Sequence, residues 1–326
     1  MAVLVTGGAG YIGSHMALAL VERNEDVVVL DNLSTGLREL VPAGAFFVRG
    51  NINDRRLVRK ILIDHGIDAV LHFAGSTVVP DSVEYPLRYY ANNTAGSRDL
   101  IDACLDVGVG QFIFSSTAAV YGAADGALID EGQPPVPANP YGRSKLMTEW
   151  MLDDAAEASG LRYVILRYFN VAGADPLGRT GQSTPRATHL IKRACQAALG
   201  RIGHLSIFGV DYATPDGTGV RDYIHVTDLV AAHGLALDHL RAGGECKVFN
   251  CGYGRGFSVR EVIDAVERAS GQRLPVMERP RRPGDSASVV ADPGRLKSQL
   301  GWTPRYEALD QIVEHALAWE SRLETV

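Results

Sequence analysis

The sequence predicts an α/β chain, with a doubly wound parallel sheet first and a smaller C-terminal α/β portion after it. Two observations carry this. Through the first half, short apolar runs alternate with helix-length amphipathic segments, and after residue 169 that rhythm breaks. Continuous apolar runs suit strands covered on both faces, and the amphipathic segments between them suit crossover helices.

In chain order the runs are 3–5, 27–30, 46–48, 69–73 and 112–114, with a further strand expected over 163–169. A helix is expected from near Pro140. Residues 173–185 supply glycine, proline and polar side chains suited to a loop, so the first domain is expected over 1–172 and the second over 173–326, with part of the latter returning to the first sheet. Ser258 and Glu261 form a capping box for a helix to Ser270, and Asp292 before Pro293 reads as an N-cap and first helical residue.

The 326 residues, 46% hydrophobic and 21% charged, can bury a large core and exclude a disordered or fibrous chain. Lys and Arg number 32 against 38 Asp and Glu, a net charge of -6, so no overall basic field holds nucleic acid or an anionic membrane. An anionic ligand must then be caught locally, and Arg279, Arg281 and Arg282, clustered between prolines, read as an anion clamp. Cys104, Cys195, Cys246 and Cys251 form no CxxC pair and lie in or beside apolar stretches, which fits reduced thiols in a cytoplasm. No secretory leader pattern and no apolar run of membrane-spanning length is seen, and no metal is expected.

Gly7, Gly8, Gly10 and Gly13 lie directly after the first strand, in Thr6-Gly7-Gly8-Ala9-Gly10-Tyr11-Ile12-Gly13, and open a helix. Glycines there let the backbone approach a pyrophosphate, which the helix N-terminus faces with free N–H groups and its positive dipole end. Asp31 ends the second strand, 18 residues after Gly13, where a carboxylate accepts from ribose hydroxyls and repels a 2′-phosphate. This is the dinucleotide signature of a Rossmann sheet, and it favours NAD over NADP. The strand ends Asn51-Ile52 and Phe73-Ala74-Gly75 are expected to flank the same cofactor.

Tyr141 and Lys145 stand at i and i+4, on one face of the helix that begins near Pro140. A free phenol titrates near 10, too high for a base at neutral pH, but a lysine cation and a positive nicotinamide ring would both favour the phenolate. Thr117, at the end of the strand carrying Phe114-Ser115-Ser116, is placed to relay or orient that proton. Together with the glycine motif, the pattern reads as a hydride-transfer site.

With these residues in place the chain resembles the extended short-chain dehydrogenase/reductase family, and within it the 4-epimerases of UDP-hexoses. The resemblance lies in residues 4–15, Asp31-Asn32-Leu33, His72-Phe73-Ala74-Gly75, Tyr90-Ala91-Asn92-Asn93, 141–145, 166–173 and above all 216–226, DGTGVRDYIHV. It implies that Tyr141 removes the C4 hydroxyl proton as hydride passes from C4 to NAD. The 4-keto sugar then turns about its diphosphate link and takes the hydride back on its other face. The resemblance places Asn32, Asn92, Tyr168 and Phe169 with the cofactor, and Asn170, Arg221 and Arg282 on the diphosphate. It places Ser206, Ile207 and Phe208 beside the uracil, Asp285 on its ribose, and His189 and Leu190 near the sugar. It also implies a homodimer paired through the helices around 92–106 and 141–159.

Departures from the family pattern carry information. Thr117 stands where many members have serine, and keeps the hydroxyl. Asn51 replaces an aspartate that commonly meets the adenine, and can still accept. Thr77 replaces a lysine directed toward the nicotinamide ribose. Thr188, His189 and Leu190 replace paired asparagines. Val289 sits at the sugar gate where a tyrosine closes the pocket, so UDP-N-acetylhexosamines are expected as further substrates. Thr117-Ala118-Ala119-Val120-Tyr121-Gly122 lacks the carboxylate that the related dehydratases and decarboxylases carry before Val-Tyr-Gly, which leaves simple epimerisation. A 4-epimerase of a UDP-pentose or UDP-uronate shares every motif, and a non-catalytic NAD-binding regulator remains a rival that the retained YxxxK pair disfavours.

Overall fold

A computed structural model describes residues 1–122, 128–184, 187–282 and 284–323. Pro185, at the end of the expected loop, and Pro283, beside the arginine cluster, lie outside the described residues. The chain divides into two compact units, one of residues 1–122, 135–167 and 230–249 and one of the described residues within 123–134, 168–229 and 250–326.

Among the described residues seven strands form one sheet, in the order Lys247–Cys251, Arg162–Tyr168, Gln111–Thr117, Ile67–His72, Ala2–Thr6, Asp26–Asp31, Ala45–Arg49. Ala2–Thr6 is buried throughout and runs parallel to both of its neighbours. The chain therefore builds outward to Ala45–Arg49, returns to the centre and continues on the other side. At such a reversal the carboxyl ends of the two central strands diverge and leave a crevice. Leu4, Leu30, Phe112, Phe114 and Leu152 belong to the core that fixes this sheet against its helices.

Local chemistry sets the helix ends. Asp54 caps Arg55–Asp64 by accepting from Leu57 N at 3.1 Å. Pro140–Ser159 starts with proline in its first turn, is capped by Asn139 accepting from Gly142 N at 2.9 Å, and stops at Gly160 with φ 76°.

In the second unit Val220–His225 is the organising strand. It pairs antiparallel with Gly256–Ser258, and parallel with Ser288–Ala291 and with Asn170–Ala172. Leu205–Phe208 pairs in parallel with Val276–Arg279. The capping box of Ser258 and Glu261 forms on Val259–Ser270 as expected. The helix expected from Pro293 begins one residue later: Pro293 takes the cap position, and Asp292 Oδ1 accepts from Gly294 N at 2.8 Å.

Candidate active site

Gly7 follows the first strand with φ 69°, in the left-handed region. A Cβ there would stand 2.6 Å from Ala74 N, and one on Gly13 would stand 2.2 Å from Gly7 O. Both clashes are with backbone, so no side-chain rotation relieves them. The helix Tyr11–Glu22 has Gly10 as its cap residue, with no side-chain cap and no acidic residue in its first turn. Its leading N–H groups and positive dipole end thus meet no side-chain carboxylate of that turn and suit an anion. Asp31 is buried, with Oδ2 accepting from Ala9 N at 3.0 Å and Oδ1 from Leu33 N at 2.8 Å. Each oxygen keeps acceptor capacity for a ribose hydroxyl, and this cradle with its carboxylate fits NAD. For Gly13→Ala the NAD dissociation constant should rise about tenfold, ~1.4 kcal/mol, by equilibrium titration. Gly10→Ala should change it less, because its Cβ would approach Gly7 O only to 3.2 Å.

The flanking strand ends are tied together. Asn32 Nδ2 donates to Asn51 Oδ1 at 2.6 Å, so the amide oxygen expected to meet adenine already accepts one bond. Ile52 is buried and fills the space beside Gly96. Phe73, Ala74 and Gly75 follow Ile67–His72, and a Cβ on Gly75 would lie 3.2 Å from Asn93 Oδ1 and 3.6 Å from Lys145 Nζ. Asn92 is exposed and donates to Ser76 Oγ at 2.9 Å. Its neighbour Asn93, absent from the expected site, is buried. Asn93 accepts from Ser76 N at 2.7 Å and donates to Ser76 O and Ser144 Oγ, both at 3.0 Å. It thereby fastens the loop after Gly75 to the helix of Tyr141. Both asparagines lie in a π-helical turn, Tyr90–Ala95, a local widening frequent at functional sites. His72 bridges Thr6 Oγ1 at 2.7 Å and Ser97 Oγ at 2.8 Å. Burial, with Lys145 adding, pushes its pKa down to about 3, so it stays neutral.

Tyr141 and Lys145 are 7% and 3% exposed, which rules out a solvated helix face. Burial pushes the Tyr141 pKa up, and the Thr117 hydroxyl pulls it down. Lys145 Nζ donates to Ser115 O at 3.0 Å and lies 4.9 Å over the Phe114 ring. Its pKa is pushed down to about 8 by burial, with Glu149 opposing. Lys145 is thus held in place by a carbonyl and a ring face, one turn along the helix from Tyr141.

One turn beyond Lys145, Glu149 forms a buried ion pair with Arg167, whose Nε lies 3.1 Å from both carboxylate oxygens and whose Nη2 lies 2.5 Å from one. Ser116 Oγ donates to the same carboxylate, and Arg167 Nη1 donates to Tyr121 Oη at 3.0 Å. The i+4 step from Lys145 to Glu149, and a lone arginine inside an apolar strand, are the sequence signals for this pair.

The second unit gathers another set. Arg221 stands beside Val289 in the register of Val220–His225 with Ser288–Ala291, while Asn170 pairs with Tyr223. Arg221 Nη2 is 3.8 Å from Asp285 Oδ1. Arg282 lies 3.8 Å over the Phe208 ring, and Ser206, Ile207 and Phe208 share the strand Leu205–Phe208. The anion clamp needs one correction, because Arg281 is taken up by Asp211 at 2.7 Å and stacks on Tyr212. His189 stands at the N-cap position of the helix Leu190–Ala198, without a side-chain cap bond, and its Nδ1 meets Gln182 Nε2 at 3.3 Å. Tyr168 and Phe169 belong to this unit, and Phe169 N donates to Cys251 O at 3.1 Å.

A model of the NAD dependent epimerase/dehydratase family matches residues 3–252. The chain belongs to that family. Among relatives, a UDP-glucose 4-epimerase of Azospirillum brasilense is 59% identical over 99% of this chain and 92% of its own length. The crystal structure of UDP-glucose 4-epimerase from Brucella ovis in complex with NAD has a TM-score of 0.95 at 47% identity, covering 97% of both chains. The UDP-Glc/GlcNAc 4-epimerase from Campylobacter jejuni has a TM-score of 0.87 at 44% identity, covering 99% of both. Among the described residues of this family member no helix is long and apolar enough to cross a membrane, and no group of three or more His, Cys, Asp or Glu could hold a metal ion.

Proposed function

We propose that this chain interconverts UDP-glucose and UDP-galactose by transient oxidation at C4, with NAD as its resident cofactor. The observation that carries the reading is the buried Tyr141 phenol, on one helix face with the buried Lys145, in the same unit as Thr117 and the cradle of Gly7, Gly13 and Asp31. NAD, when bound, supplies a reversible two-electron acceptor. Tyr141 takes the proton from the C4 hydroxyl while Thr117 orients it, and gives the proton back once the sugar has presented its other face, so no net oxidation results. Asn170, Arg221, Arg282, Asp285 and the Phe208 strand hold the UDP, the arginines through charge-assisted bonds. Binding energy concentrated on the nucleotide leaves the hexose free to turn. Ala118 and Ala119 offer no acid for the loss of water, which supports epimerisation over dehydration.

The test is to incubate purified protein with UDP-galactose, without added NAD, and follow UDP-glucose by proton NMR. Conversion is expected; none even with NAD supplied overturns the hexose reading.

Val289, next to Arg221 in register, supports a pocket open to N-acetyl groups. UDP-N-acetylgalactosamine should be turned over with kcat/KM within about tenfold of UDP-galactose. Val289→Tyr should cut the former at least about tenfold and spare the latter, and no turnover of the N-acetylated sugar by the native chain disposes of the idea. Trp150, 55% exposed on Pro140–Ser159, supports a homodimer through that helix, to be read by analytical ultracentrifugation, with a monomer at micromolar concentration counting against it. The four free cysteines support a cytoplasmic setting; fractionation of cells with the activity outside the cytoplasm would refute it.

A further inference from the structure

Five buried polar side chains to which the proposed function gives no part, those of Thr6, His72, Ser97, Asn93 and Ser144, belong to one hydrogen-bonded chain. It starts at the last residue of the strand that leads into Gly7 and ends on the backbone carbonyl of Tyr141. Thr6 Oγ1 meets His72 Nδ1 at 2.7 Å, and His72 Nε2 meets Ser97 Oγ at 2.8 Å. Ser97 Oγ donates to Asn93 O, Asn93 Nδ2 to Ser144 Oγ at 3.0 Å, and Ser144 Oγ to Tyr141 O at 2.7 Å.

Groups with only one possible role fix the direction of each bond. A carbonyl can only accept, so Ser97 spends its hydrogen on Asn93 O and accepts from His72, which therefore carries its proton on Nε2. Nδ1 is then an acceptor, and Thr6 donates to it. Ser76 N can only donate, at 2.7 Å, and Ser76 O can only accept, at 3.0 Å, so the Asn93 amide has one orientation, with Nδ2 toward Ser144. Ser144 in turn spends its hydrogen on Tyr141 O. Every donor thus points from the strand of the cradle toward the helix of Tyr141, and His72, kept neutral by burial, does not reverse the order by taking a second proton.

The chain also passes beside the site. A Cβ on Gly75 would stand 3.2 Å from Asn93 Oδ1 and 3.6 Å from Lys145 Nζ, so the Asn93 amide lies where the loop after His72 meets the helix of Tyr141 and Lys145. A buried network in which each member is satisfied is rigid and specifies one arrangement. We propose that Asn93 and Ser144 are positioning residues for proton transfer: through this chain they hold the Tyr141 backbone at a fixed place relative to the strand that ends in the cradle, and so set where the phenol stands against the reacting C4. This rests on the UDP-hexose reading. Such positioning acts on kcat, because the proposed ligands of UDP are other residues and a displaced phenol is felt only in the reacting geometry.

Ser144→Ala cuts the last bond without adding volume. In the purified, cofactor-bearing variant kcat for UDP-galactose should fall about tenfold, while KM, the UDP dissociation constant and the stoichiometry of UDP binding by calorimetry stay within about twofold. A structural role alone would lower the melting temperature or the fraction that binds UDP and leave kcat per binding site unchanged. A kcat per UDP-binding site within about twofold of native overturns the proposal, as does a rise in the UDP dissociation constant as large as the loss in kcat. So does a variant that cannot be purified folded, which gives the chain to the fold alone. In the native protein, nitrogen-15 spectra of the histidines should show His72 protonated on Nε2 at neutral pH, its signal assigned through its shift in Thr6→Val; protonation on Nδ1 breaks the order of donors and overturns the proposal independently of activity. If the native chain does not turn over UDP-galactose, the UDP-hexose reading falls and this inference with it; if the native chain does and Ser144→Ala matches it, only this inference falls.

Discussion

Tyr141→Phe is expected to lower kcat for UDP-galactose conversion by about 10³-fold, while the affinity for UDP stays within about twofold. Phenylalanine keeps the ring in its buried position and removes only the oxygen through which the proton passes, and a positioned general base contributes about 10² to 10⁴. UDP affinity is unaffected because its proposed ligands are other residues. The pH dependence follows from the two influences on the phenol. Burial raises the Tyr141 pKa and the Thr117 hydroxyl lowers it. The active phenolate is lost as pH falls through that pKa, so the rate drops on the acid side. Thr117→Ala removes the lowering influence and moves the acid limb to higher pH. At neutral pH, where less of the phenol is then ionised, kcat should fall by roughly tenfold. Steady-state rates between pH 6 and 9 measure both effects, and a Tyr141→Phe enzyme with more than a tenth of native kcat would remove Tyr141 from the role of base.

The parts of this site that can be read from the sequence are those whose requirements are local. Gly7 and Gly13 announce themselves because a strand, a tight turn and a helix must succeed one another within a few residues, and any Cβ would collide with backbone. Tyr141 and Lys145 are legible because four residues is one helical turn. Asn93 is not legible beside Asn92 because adjacent asparagines look alike in sequence; which one turns inward is decided by the π-helical turn and by Ser76 and Ser144, distant in the chain. The short strands of the second unit, such as Gly256–Ser258 and Ser288–Ala291, are shorter than a pattern can resolve and exist through pairing with Val220–His225. The one-residue shift at Pro293 reflects Asp292 reaching forward to Gly294 N, which begins the helix after the proline instead of at it.

Glu149→Met is expected to destabilise the native protein by about 3–5 kcal/mol, because it leaves the Arg167 guanidinium buried without its counter-charge. Glu149 and Arg167 are 4% and 6% exposed, so solvent cannot take over the lost contacts, and Ser116 Oγ loses its acceptor as well. The double variant Glu149→Met, Arg167→Met should recover most of that loss, since removing both charges also removes the desolvation they impose. Denaturant unfolding followed by circular dichroism tests this; equal losses in single and double variants would mean that packing, not charge, holds the pair. A second consequence reaches the active site. Glu149 opposes the burial that pushes Lys145 down to about 8, so without it the Lys145 pKa falls further. The ammonium form, present below that pKa and lost above it, then disappears at lower pH, and the bond from Nζ to Ser115 O loses its charge. Activity of the single variant should therefore decline on the alkaline side at a lower pH than in the native chain, whereas a purely structural effect of Glu149 would reduce activity evenly across the pH range.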